Sequence, residues 1–224
     1  MHPLMANAGC NLITPTYTGL GEREHLANPA IDLETHIQDI LGVIKYEQLT
    51  NIVLVGHSYG GMVATGVADR VPERIAKLVY VDAFVPMDGQ ALVDLLPPGR
   101  AQGMRDAAKA LDGWRVPPNP IPPDTSAEDA KWIQALRLPQ SLKTFETPVR
   151  LKNKDVKFSR AYIYCKRATP DDTFKQFALR AQREHWDYRE IDASHSAHIT
   201  APNELAALLA GSGRALREDT DPVR

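Results

Sequence analysis

The chain is poor in cysteine, with only Cys10 and Cys165 among 224 residues. Both lie in apolar, strand-like runs far apart in sequence, so buried free thiols are expected rather than a disulfide scaffold. No apolar run reaches the ~18 residues that would span a bilayer. There is no excess of positive charge, since 26 Lys and Arg face 28 Asp and Glu for a net charge of −2. That balance argues against nucleic acid and against a membrane surface as partners. The opening residues, Met1-His2-Pro3-Leu4-Met5-Ala6-Asn7, lack the charged and apolar regions of a signal peptide, and the expected location is cytoplasmic. No Cys/His set has metal-ligand spacing and no G-x-x-x-x-G-K-[ST] loop occurs, so no metal, nucleotide or other cofactor is implied. No internal repeat is visible. What remains is ordinary globular usage, 43% apolar and 24% charged, at a length that suits one domain with a sizeable core.

The most informative stretch is Gly56-His57-Ser58-Tyr59-Gly60. It follows the apolar run Ile52-Val53-Leu54-Val55 and opens Gly61 to Arg70, which reads as a helix. A strand, then G-x-S-x-G, then a helix is the pattern of a nucleophile elbow. The turn must be tight so that the Ser58 hydroxyl stands clear of the sheet. Gly56 and Gly60 lack a Cβ and let strand and helix approach each other. The helix N-terminus aims N–H groups where negative charge would develop. A packing turn that happens to contain serine is the bland alternative.

Around this turn the elements alternate. Residues 10–14 look like a short strand. Asp32 is a plausible N-cap for a helix carrying Leu33, His36, Ile37, Ile40, Leu41 and Ile44 at helical spacing and ending near Tyr46. Pro72 stops the elbow helix, and Lys77 to Val81 is a strand apolar enough to be covered on both faces. The pattern implies an α/β fold with a mostly parallel sheet flanked by helices. Residues 83–150 are rich in proline and carry two helical stretches, about 100–111 and 126–136; they are expected to form a helical cap insertion in which Trp114, Trp132 and Phe145 pack. Sheet patterning resumes at 160–165, followed by a helix at about 171–184, a strand at 188–191 and a helix from Asn203 to Ala210. The expected organisation is therefore a core of residues 1–82 and 151–210, a cap of 83–150, and a flexible tail of 211–224.

A serine hydroxyl needs a base, and a histidine in the loop after the last strand suits. His195 and His198 lie there. His195 is favoured because Ala193, Ser194, Ser196 and Ala197 leave its ring free to swing over Ser58; His198 is then a pocket-wall residue. For the acid, Asp82 ends the strand after the elbow helix, while Asp171 and Asp172 follow the strand at 160–165 and also fit as a helix N-cap and first turn.

The runs Thr14 to Arg23 (TPTYTGLGER), Gly56 to Met62 (GHSYGGM), Tyr80 to Pro86 (YVDAFVP), Tyr162 to Cys165 and His195-x-x-His198-x-Thr200-Ala201-Pro202 resemble bacterial α/β-hydrolases of the esterase branch. The plant methyl-ester esterases and hydroxynitrile lyases are relatives of that branch. The resemblance spans essentially the whole chain. It implies that His195 is the base and that the Tyr59 amide is one oxyanion donor. The family's usual place for the acid is the loop after Cys165, yet no carboxylate occurs there before Asp171, which favours Asp82. The second oxyanion donor would come from a His-Gly-type turn after an earlier strand. No such turn precedes residue 10, so by this resemblance the first strands and the oxyanion loop are absent: either the sequence is an N-terminally truncated version, or another chain or a repacked strand fills the gap, and an exposed sheet edge would favour a homodimer.

The expected function is a serine hydrolase cleaving carboxylic esters of small, mostly apolar substrates through an acyl-enzyme. His57, Trp114, Trp132 and His198 are the expected substrate-binding residues. A hydroxynitrile lyase would carry lysine where Ser196 stands, and a perhydrolase could use the same triad. The alternative outside catalysis is an impaired homologue that binds a small ligand or a partner.

Overall fold

The computed structural model describes residues 1–153, 158–167 and 172–219, and for 214–219 the backbone only. In chain order the helices are α1 (His2–Asn7), α2 (Leu33–Tyr46), α3 (Gly60–Arg70), α4 (Arg100–Leu111), α5 (Ala127–Leu136), α6 (Lys143–Glu146), α7 (Lys175–Arg183), α8 (Ala197–Thr200) and α9 (Pro202–Asp219). The strands are β1 (Ile52–Ser58), β2 (Ile75–Ala83), β3 (Arg115–Val116), β4 (Gln140–Ser141), β5 (Ser159–Cys165) and β6 (Asp187–Ile191). Among the described residues, β1, β2, β5 and β6 pair in that order as one parallel sheet, and β3 and β4 form a separate antiparallel pair.

Alternation along the central strands divides the core in two. Leu78 and Tyr80 of β2 and Tyr162 of β5 pack with Leu33, Ile37, Met62, Val67 and Phe177, under α2, α3 and α7. Val79, Val81, Ala161 and Ile163 point the other way, to Met5 of α1 and to Leu205 and Leu209 of α9. Burying each of these larger side chains contributes about 1.5–3 kcal/mol. Asp32 caps α2 as its residue type foretells: its carboxylate accepts the Thr35 N–H at 2.9 Å, and the Thr35 hydroxyl accepts the Asp32 N–H at 3.3 Å.

Two elements depart from the sequence reading. Residues 10–14 form no strand, although their apolar residues match one; the Cys10 N–H bonds the Met5 carbonyl at 2.9 Å instead of a neighbouring strand. A strand exists only where a partner takes its ladder, and β1, the nearest candidate, pairs with β2 alone among the described residues. Between β1 and this segment runs a largely apolar cavity of about 940 Å³, lined by Met5, Leu12, Val53 and Val55 and reaching His57. The last helix, expected to end at Ala210, continues to Asp219. Both thiols are free; Cys165 is buried and Cys10 only half-buried.

Candidate active site

The β1–α3 turn has the strain expected of an elbow. Ser58 has φ 54°, in the left-handed region that costs a non-glycine residue energy. A Cβ on Gly56 would lie 2.7 Å from the Gly60 carbonyl oxygen, so glycine is required there. The second required glycine is Gly61, whose Cβ would run into the Phe84 carbonyl oxygen. A Cβ on Gly60 would meet nothing closer than the Tyr17 hydroxyl at 3.7 Å, an ordinary contact, so the expectation that Gly60 permits the close approach is corrected.

The neighbouring strand ends in a second strained residue. Asp82 has φ 42°, and the β1–β2 register shifts there so that Ser58 stands opposite Ala83. This corner is braced from two sides. Phe84 N–H donates to the Ser58 carbonyl at 3.2 Å, and the Tyr162 hydroxyl both accepts from Ala83 N–H at 3.2 Å and donates to the Ala83 carbonyl at 3.0 Å. Strain at both residues is held by these contacts, which fix the side chains they carry.

The loop after β6 brings His195 between them. Its Nε2 lies 2.9 Å from Ser58 Oγ, and its Nδ1 lies 2.7 Å from Asp82 Oδ2. The Asp82 side chain is 5% exposed, and its Oδ1 accepts the Cys165 N–H at 3.3 Å. Burial raises the Asp82 pKa, and the His195 contact works against that rise. A carboxylate facing Nδ1 fixes the proton on that nitrogen, so Nε2 presents its lone pair to the serine hydroxyl. Phe174 stacks on the His195 ring at 4.7 Å with an interplanar angle of 10°. The three groups form a continuous hydrogen-bonded chain able to move a proton off Ser58.

The other predicted residues fall as follows. Asp172 is engaged elsewhere: it accepts the Tyr164 hydroxyl at 2.6 Å and the Phe174 N–H at 2.9 Å. Asp171 lies outside the described residues. Tyr59 precedes the first turn of α3, where backbone N–H groups lack helical partners, and its ring packs on Phe145 at 5.4 Å. Its hydroxyl pairs with His36 Nδ1 at 2.9 Å. His57, exposed His198 and exposed Trp132 line the cavity beside β1. Trp114 does not; it lies in a small crevice with Thr18, Leu20 and His36, with the Arg115 guanidinium over its ring at 5.0 Å. Gly61, Tyr162 and Phe174 were invisible as site residues in the sequence, because a glycine in a helix and aromatics in apolar runs read as packing.

The family model described as "Alpha/beta hydrolase family" matches residues 1–208. The chain belongs to the alpha/beta hydrolase family. This hydrolase is 39% identical over 223 residues to the carbendazim hydrolyzing esterase of Nocardioides sp. (strain SG-4G), covering 93% of this chain and 90% of that protein. It is 26% identical over 181 residues to Methylesterase 10 of Arabidopsis thaliana, covering 70% of this chain and 65% of that one. Among solved structures, an extracellular alpha/beta-hydrolase from a Paenibacillus species shares the fold with a TM-score of 0.82 at 24% identity, covering 95% of this hydrolase and 91% of that chain. Among the described residues no helix is long and apolar enough to cross a membrane.

Proposed function

We propose that this hydrolase is a serine-type carboxylic ester hydrolase that works through an acyl-enzyme. The observation that carries the reading is the Ser58–His195–Asp82 chain, with 2.9 Å and 2.7 Å between successive groups. Ser58 Oγ bonds to the ester carbonyl carbon while His195 Nε2 takes its proton. The carbonyl oxygen becomes an oxyanion facing the Tyr59 N–H at the start of α3. Collapse of the tetrahedral intermediate breaks the bond to the alkoxy group, which leaves with the proton from His195 Nε2. Water then attacks the acyl carbon, giving its proton to His195, and the acid departs as Ser58 recovers its hydrogen. Asp82 orients the imidazole and stabilises the imidazolium in both halves.

The Tyr59–Phe145 contact supports a covering role for residues 83–150 over the elbow. Because the 39% identical relative is named for hydrolysing carbendazim, that compound belongs in the first substrate panel beside p-nitrophenyl esters. The test pairs ester turnover with an organophosphonate probe. Turnover and a Ser58 adduct, both lost in Ser58→Ala, are expected. Neither turnover nor an adduct in the wild-type protein sinks the reading and leaves a ligand-binding homologue.

A further inference from the structure

We infer that His57 is a positioning residue that pins the loop carrying the general base to the nucleophile's own turn; this rests on the serine-hydrolase reading of Ser58 and His195. His57 Nε2 lies 2.7 Å from the backbone carbonyl oxygen of His195. A carbonyl only accepts, so the hydrogen sits on His57 Nε2 and the ring is the donor. The two rings lie against each other at 4.6 Å, and His198 packs edge-on against His57 at 5.0 Å.

The consequence follows from sequence adjacency. His57 and Ser58 are consecutive residues of β1, in a turn that Gly56 and the α3 backbone hold tightly. Tying the His195 carbonyl to His57 therefore puts base and nucleophile in one rigid frame. The rest of the loop is held from elsewhere: Ser194 N–H donates to Asp124 Oδ2 at 3.2 Å, and Arg167 N–H donates to the Ala193 carbonyl at 3.0 Å. The His195 ring is fixed by Asp82 and Phe174, and its backbone by His57. The tether also has to stay uncharged beside an imidazolium that forms during turnover. Burial, and then the neighbouring His195 and His198, hold the His57 pKa well below the ordinary histidine value.

Glutamine and asparagine separate this role from mere space filling. The Gln Nε2 reaches about as far as the histidine Nε2, whereas the Asn amide falls short by a methylene. In His57→Asn, kcat for a p-nitrophenyl ester is expected to fall roughly 10²-fold with little change in KM, as a misplaced base requires. His57→Gln is expected to recover most of that loss. The far-downfield proton resonance of His195 Nδ1 should be sharp in the wild-type protein, broadened or displaced in His57→Asn and restored in His57→Gln. Equal activities for the two variants, or an unchanged Nδ1 resonance in His57→Asn, overturn the inference. The resonance decides this even if the wild-type protein neither turns over esters nor labels at Ser58, an outcome that overturns the hydrolase reading instead.

Discussion

Replacing Asp82 with asparagine changes one atom and inverts the proton inventory of the site. Asp82 Oδ1 accepts the Cys165 N–H at 3.3 Å, and Oδ2 accepts from His195 Nδ1 at 2.7 Å. The amide has one oxygen for these two donors. With its oxygen on Cys165, its NH₂ faces His195 Nδ1, which must then accept; the imidazole proton moves to Nε2, and Ser58 loses its base. With its oxygen on His195, the NH₂ opposes a buried N–H, which costs ~1–3 kcal/mol. Either way the charge that stabilises the imidazolium is gone. The expected loss is ~10⁴-fold in kcat, or ~5.4 kcal/mol of transition-state stabilisation. Stability should move the other way. Burial raises the Asp82 pKa, so in the window above ~3.9 the native state holds more protons than the unfolded chain, and stability falls as pH rises through that window. Asparagine removes this cost, and it tolerates the positive φ as aspartate does. Steady-state ester hydrolysis and thermal unfolding at pH 8 check both halves. Activity within tenfold of wild type would refute the triad assignment, and a clear drop in Tm would refute the burial argument.

Gly61→Ala drives its Cβ into the Phe84 carbonyl and is expected to cost at least ~1–3 kcal/mol, whereas Gly60→Ala, with open space, keeps its fold; urea unfolding of the two variants measures the difference. The protein should lose stability as pH falls below ~6.5, because burial lowers the pKa values of His36 and His57 and only the unfolded chain takes up their protons. Asp82, whose pKa burial raises, opposes this trend across its own window, and urea midpoints at pH 8 and pH 5 read the net effect.

Much of this architecture was legible because its signals are local. The apolar run of β2, the Asp32 cap and the G-H-S-Y-G turn each carry their geometry in a few residues. The alternation of strand and helix did the rest. Residues 10–14 match a strand in type alone, because a strand is a relation between segments and no neighbour among the described residues takes their ladder. The acid stayed open between Asp82, Asp171 and Asp172 because the choice depends on which strand end reaches the His195 loop, a tertiary fact. Gly61 was hidden for the same reason: the obstacle is the Phe84 carbonyl, which lies outside the motif. The side-chain type of Trp114 suits a pocket wall, but its position just before β3 puts it in the crevice with Thr18, Leu20 and His36.

The central claim is that Ser58 is an activated nucleophile served by His195. Intact-mass and peptide analysis after reaction with a fluorophosphonate tests it most directly. One adduct on Ser58, absent in Ser58→Ala and formed far more slowly in His195→Ala, is the predicted result. An adduct on another residue, or ester turnover that survives Ser58→Ala, would contradict the account.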